Sequence, residues 1–516
     1  MKKSLSSNAF SALRWNYLGL MARSASSLII GIVLARLLGP KPFGEVAVAL
    51  LVLGLAGQVA DAGFGAALVQ APELSPKQIR VSFTVQMLAA LALMGLTVVA
   101  APWVALSFHD AAIRPVLYAI APLFVLQALG QTSTGLLKRK LAFRAVQTAQ
   151  VSSYLVGYLF VGIPAAYLGW GALSLVAAQL VQALTYSAQV YLRVRHSLVP
   201  SLDRSGAALA GYGGKVTGTN LANWSISNLD NAVVGSSFGS VALGLYSRAF
   251  NLASSLGDGI TGSLQQVLFS GYSRAQGRTE VLRRTYLASI AFVAVVMFPA
   301  FWSLAACGKT VMVGLFGPKW SDAAPLFVPL ALAMPVHAVM GLSGPVLWAT
   351  NRVQQELRLQ LLTLVVAAVA FGITTRLSVV ALAWAVLVVY GFRCWVMSRR
   401  VLGVIGANWG DLLRVSKGAI GIAAVASLAL SVTNRLLIGR GIRPAWSLCA
   451  LVVMGFCVWL AGIIGAAARV LPPELVEVGA RVSENLPAVV RRFIDRAAAR
   501  QQYRHMGVRI PGVVAD

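Results

Sequence analysis

An all-α polytopic membrane protein is the fold class this sequence predicts, on three observations. The 516 residues are 58% hydrophobic and only 11% charged, whereas a soluble domain carries about 25% charged residues. Mean hydropathy is +0.75. The apolar runs repeatedly reach about 20 residues, the length of a helix that crosses a bilayer core. They are long and lack strict alternation, which selects helices over barrel strands.

About fourteen transmembrane helices follow in order, at 15–38, 43–65, 81–107, 114–136, 147–168, 170–192, 209–238, 243–270, 285–306, 323–349, 358–376, 379–398, 418–436 and 446–468. The leader MKKSLSSNAFSALRW is basic and polar and has no small-residue cleavage site, so the first span is expected to be retained. Lysine and arginine set the orientation. With the N-terminus in the cytoplasm, 30 of the 43 fall on inner segments and nine on outer ones. Both termini are therefore expected inside. The same asymmetry accounts for the net charge of +27, for which anionic inner-leaflet lipids are a simpler partner than nucleic acid. Every outer connection is short, the longest lying near 307–322, so no folded external domain is expected.

A repeat organises these spans. APLFV stands at 121–125 and again at 324–328. Gly39 and Gly44 in LLGPKPFGEV recur as Gly239 and Gly244 in SSFGSVALGLY, and DAGFG at Asp61 is echoed by DGITG at Asp258. The echoes are six spans apart, so each half inserts with the same orientation. The expected architecture is two parallel six-helix pseudo-repeats around a central cleft, related by an axis along the membrane normal, plus two C-terminal helices. The expected divisions are a cytoplasmic N-terminus (1–14), a first bundle (15–193), a cytoplasmic linker (194–208), a second bundle (209–400), two additional helices (401–468) and a basic cytoplasmic tail (469–516). In the tail, Arg491, Arg492, Arg496 and Arg500 beside Val489, Val490, Phe493 and Ile494 read either as an amphipathic helix on the inner leaflet or as a frayed end.

Several functions are excluded or disfavoured. No GxxxxGK[ST] occurs, which argues against ATP hydrolysis by this chain. Cys307, Cys394, Cys449 and Cys457 form no CxxC pair, and His109, His196, His337 and His505 show no metal-ligand spacing, so neither metal nor cofactor is expected. No outer loop carries the clustered carboxylates expected of a membrane glycosyltransferase or polysaccharide polymerase, so a non-enzyme is favoured.

Three stretches carry a resemblance: VLARLLGPKPFGEVAVALLVLGLAGQVADAGFGAALVQ, NLDNAVVGSSFGSVALGLYSRAFNL and LFGPKWSDAAPLFVPLAL. Over about residues 10–400 the chain resembles the polysaccharide transport family of Wzx-like oligosaccharide flippases, within the multidrug/oligosaccharidyl-lipid/polysaccharide exporter superfamily. The resemblance implies a bacterial inner-membrane protein that moves polyprenyl-diphosphate-linked oligosaccharide from the cytoplasmic to the periplasmic leaflet by alternating access. Polymerisation into exopolysaccharide, capsule or O-antigen would follow, with polymerase and export machinery as partners. A cation-coupled multidrug or small-molecule antiporter of the same superfamily is the near alternative, and a membrane polymerase or glycosyltransferase the far one.

Polar groups inside spans are the site candidates. Arg23 in span 1 either grips the substrate diphosphate in the cleft or snorkels to anionic headgroups. Asn220, Asn223, Ser227 and Asn231 follow 3–4 spacing on span 7. That stripe reads as a sugar-contacting wall or as interhelical hydrogen bonding, and four residues exceed what packing usually needs. Asp230 and Arg248 lie at comparable depth on either side of the 239–242 turn, as an ion pair or as coupling groups. Asp258, beside Gly257 and Gly259, is a mid-membrane coupling or packing carboxylate, while Asp61 is more interfacial.

Overall fold

The computed structural model describes residues 2–61, 74–203, 207–274 and 278–470. The side chains of residues 2–14, 16–18, 58–61, 207–223 and 463–470, and several between 258 and 274, lie outside that description, as does the tail after residue 470 with its expected amphipathic helix. Among the described residues the chain is helical, without strands. It runs α1 (Lys2–Leu38), α2 (Pro40–Asp61), α3 (Pro76–Ser107), α4 (Ile113–Ile120), α5 (Leu123–Arg139), α6 (Phe143–Tyr154), a π-helical stretch (Leu155–Gly162), α7 (Ile163–Tyr167), α8 (Ala172–Val194) and α9 (Ala207–Arg274). It continues with α10 (Thr279–Ala306), α11 (Gly308–Phe316), a 3₁₀ turn (Pro318–Ala323), α12 (Ala324–Gly341), α13 (Ser343–Ala349), α14 (Val353–Thr374), α15 (Val379–Ile405), α16 (Trp409–Gly439) and α17 (Pro444–Val470).

Eleven described segments are long and apolar enough to cross a membrane. The 23-residue α8 and the two halves of α9, which breaks at Gly239 with φ +83°, complete the expected fourteen. The short outer connection near 307–322 is largely helical, built from α11 and the 3₁₀ turn.

Local sequence rules set the boundaries. Ser75 and Gln78 form a reciprocal capping box ahead of Pro76, with Ser75 Oγ accepting from the Gln78 N–H at 3.2 Å and Gln78 Oε1 from the Ser75 N–H at 3.0 Å. Asn408 and Asp411 repeat the device at α16. Ala121 and Pro122 of the first APLFV form the turn between α4 and α5 and its Leu123 opens α5, whereas the second APLFV begins α12 without a break.

The helices form two compact units. The first comprises Met1–Arg248 with the short segments Phe316–Trp320 and Thr375–Val379. Its organising contact is between the two glycine turns. Gly39 (φ +79°) and Gly239 (φ +83°) both take the left-handed conformation that glycine adopts freely. A Cβ on Gly44 would lie 1.7 Å from the Ser240 carbonyl oxygen, and one on Gly244 would lie 2.1 Å from that of Pro40. The contacts are reciprocal at an offset of 200 residues: 44 meets 240, and 244 meets 40. The Trp320 indole is fully buried, donates to the Ala35 carbonyl at 2.9 Å and meets the Phe43 ring edge-on at 5.6 Å.

In the second unit α10 and α16 pack along small residues. Ala294, Val295 and Ala419 form a core cluster, and Ala423 and Ala426 continue the buried face. Thr310 Oγ1 donates to Asn434 Oδ1 at 2.7 Å, and the Trp459 indole donates to the Val295 carbonyl at 2.9 Å, so α16 and α17 are tied into this unit. At the α16 N-terminus Asp411 accepts from Arg283 at 2.9 Å and also from Arg414.

Candidate functional site

The polar interior of the first unit starts at α1. Arg23 is exposed, although it sits within a long apolar helix. Its charge reaches the phenols of Tyr154, Tyr158 and Tyr186. The π-helical stretch after Tyr154 widens the turn that carries Tyr158, and the two rings stack with centroids 4.6 Å apart. Such π segments interrupt helices frequently at functional sites. The tyrosines are anchored in turn: Tyr154 to Ser27, Tyr158 to Gln179, and Tyr186 to Gln150 and, at 2.9 Å, to Thr134. Arg23 on α1 thus lies within electrostatic range of hydrogen-bonded phenols carried by α6, the π-helical stretch and α8.

Asp230 and Arg248 do not form the expected ion pair. Asp230 is 5% exposed, and its carboxylate accepts from Tyr246 Oη at 2.7 Å, the Asn231 N–H at 2.8 Å and Asn231 Nδ2 at 3.1 Å. Among the described residues no ion pair joins it to Arg248. The reason is helical phase. Residues 246 and 248 are about 200° apart around the helix, so only one can face span 7, and Tyr246 does.

Arg248 points instead toward α1, with its guanidinium 5.1 Å from the Phe43 ring centroid and 4.5 Å from that of Phe316. Gly31 provides the room, since a Cβ there would lie 2.7 Å from Nη2. The Nε is buried without a hydrogen-bond partner. Cation–π contact offsets part of the cost of burying the charge. The phenol of Tyr154 lies in the field of both Arg248 and Arg23.

The span 7 stripe is described in part. Ser227 is exposed, and Asn231 is half-buried and committed to Asp230. The side chains of Asn220, Asn223, Asp61 and Asp258 lie outside the described residues.

Attention to charges and to span 7 alone misses a second polar group. α5 carries Gln127, Gln131, Thr132, Ser133 and Thr134 within an otherwise apolar span, and α3 carries Ser82 and Gln86. The hydroxyls of Thr132 and Ser133 are buried without partners. The sequence signal was a pair of glutamines at i, i+4 in QALGQTSTG. Among the described residues no group of three metal-capable side chains occurs.

The fold defines the class: a polytopic, all-helical membrane protein whose architecture is shared by solved flippase and multidrug-transporter structures. The lipid II flippase MurJ, in an inward closed conformation, aligns with a TM-score of 0.66 at 12% identity, covering 89% of this chain and 98% of MurJ. An inward-facing MATE-family multidrug resistance transporter aligns at 0.57 and 15% identity, covering 74% of this chain and 94% of that one.

Residues 33–325, more than half of the chain, match the polysaccharide biosynthesis protein family, and the protein belongs to it. Relatives include the lipopolysaccharide biosynthesis protein WzxC of Escherichia coli K12, 22% identical over 68% of this chain and 72% of WzxC. The succinoglycan biosynthesis transport protein ExoT of Rhizobium meliloti is 29% identical over 58% of this chain and 61% of ExoT. The teichuronic acid biosynthesis protein TuaB of Bacillus subtilis is 24% identical over 57% of this chain and 61% of TuaB.

Proposed function

We propose that the protein is a flippase that turns polyprenyl-diphosphate-linked oligosaccharide from the cytoplasmic to the periplasmic leaflet of a bacterial inner membrane, supplying exopolysaccharide, capsule or O-antigen synthesis. The observation that carries this reading is Arg23: an exposed guanidinium inside a span, within electrostatic range of tyrosines that have hydrogen bonds of their own. A diphosphate needs cationic partners to cross hydrocarbon, and a guanidinium can hold phosphate oxygens in bidentate geometry. Arg248 supplies a second cation with no carboxylate partner among the described residues, sharing Tyr154 with Arg23. In this reading the exposed Ser227 is a further polar group available to the headgroup. Alternating access, in which two halves rock about the bound headgroup, is the transport mode this architecture suits. The chain acts as a transporter rather than an enzyme. Its partners are the lipid-linked substrate, anionic inner-leaflet lipids and the polymerase machinery that consumes the product.

The test is the lipid-linked oligosaccharide pool in a strain lacking this protein and any redundant flippase. The expected result is accumulation in the inner leaflet with loss of surface polymer, both restored by the intact gene but not by Arg23→Ala at equal protein level. Normal polymer and normal intermediates would sink the reading and direct attention to small-molecule efflux.

A further inference from the structure

A cavity of about 60 Å³ opens between α2, α3 and α5, lined by Gly57, Gln86, Ala90, Phe124, Gln127 and Gln131. It lies within the spans. Gln86 is ten residues into α3, about 15 Å from its start, and Gln131 is eight residues from the end of α5, about 12 Å. Gln127 and Gln131 are exposed on one face of α5. Hydrocarbon offers an amide nothing to bond, so this face must border water or a polar ligand.

Gln86 forms the buried wall at 3% exposure, with Nε2 donating to Ser82 Oγ at 2.9 Å and Oε1 finding no donor in the protein. An unmet carbonyl costs about 1–3 kcal/mol, which a ligand donor would recover.

We propose that this cavity is a subsite for an uncharged sugar of the transported oligosaccharide, holding hydroxyl or acetamido groups on Gln86, Gln127 and Gln131. The proposal rests on the flippase reading and adds to it where the headgroup is held. Three amides, each both donor and acceptor, match groups that are themselves both. No charged side chain lines the cavity, so a diphosphate or a metal ion would find no counter-charge there. Phe124, Ala90 and Ala128 supply the apolar surface that the C–H face of a pyranose requires. The volume holds about four water-sized groups, one edge of a ring rather than a whole repeat unit.

The experiment uses the full chain in lipid nanodiscs and two probes: polyprenyl diphosphate bearing a neutral disaccharide, and sugar-free polyprenyl diphosphate. Wild type should bind the glycosylated probe more tightly. Gln86→Leu removes the buried amide. Gly57→Leu fills the cavity while sparing every amide, and a Cβ at Gly57 meets nothing within 4 Å, so the backbone accepts it. Each variant should weaken the glycosylated probe about tenfold, as loss of a hydrogen-bonded contact predicts, and leave the sugar-free probe unchanged. Equal loss on both probes, or loss on neither, overturns the subsite. Equal affinity of wild type for the two probes overturns the subsite and leaves the flippase reading standing, whereas binding of neither probe overturns both.

Discussion

At Asp230 three donors satisfy a carboxylate that would otherwise be costly within a membrane span, and none of them is the arginine at matching depth. The charge-swapped pair Asp230→Arg with Arg248→Asp should therefore fail to restore polymer export, because the two groups face different neighbours. Recovery of export would restore the ion-pair reading. Tyr246→Phe should destabilise the protein by about 1–3 kcal/mol by removing one of the three donors to the buried carboxylate, read as a lower melting temperature in detergent. His196 makes a pH prediction outside the spans. It packs between Phe83 and Tyr191, and burial lowers its pKa despite the hydrogen bond to the Ser197 carbonyl. The folded state thus prefers the neutral ring. Its contribution is complete above the unfolded imidazole pKa of about 6.5 and declines as pH falls through that value toward the lower folded one. Wild type should lose melting temperature between pH 7.5 and 5.5, and His196→Phe should lose less.

At the scale of elements, the paired turns distinguish glycines that matter from those that do not. Gly44→Ala and Gly244→Ala each place a methyl against a backbone carbonyl that cannot rotate away. Each should cost at least the roughly 1–3 kcal/mol of an overpacked core and lower both melting temperature and export. Gly421→Ala in α16 meets nothing within 4 Å and should be neutral or stabilising by up to about 1 kcal/mol. Equal effects at Gly44 and Gly421 would show that helix propensity, not close approach, governs these sites. The segment after α8 is also held to its own unit, with Arg80 Nε donating to the Val199 carbonyl at 3.1 Å and the Ser201 N–H to Thr84 Oγ1 at 2.9 Å.

For the whole molecule, charge asymmetry predicts which ends of the spans face the cytoplasm. Reporter fusions after Lys140, Ser197 and the C-terminus should report cytoplasmic placement, and fusions near His109 and Gly317 the opposite side. Inversion of the whole pattern would reverse the proposed direction of transport.

Composition and the length of the apolar runs carried the membrane class and an expectation of about fourteen spans, and the glycine echo carried the 200-residue offset between the two turns. Each is a property of composition or period along the chain, and bilayer thickness turns apolar length directly into helices. The polar residues Arg23, Ser227 and Asn231 were legible for the same reason, since any polar group in an apolar run stands out. Partnership was not legible. Depth along a span follows from residue number, but which neighbour a side chain meets depends on helical phase and on non-local packing. Tyr246 rather than Arg248 therefore reached Asp230, and Arg248 settled between Phe43 and Phe316, the latter 68 positions away. Gln86 stands on one span in the sequence and Gln127 and Gln131 on another, and the packing of α2, α3 and α5 brings them around one cavity.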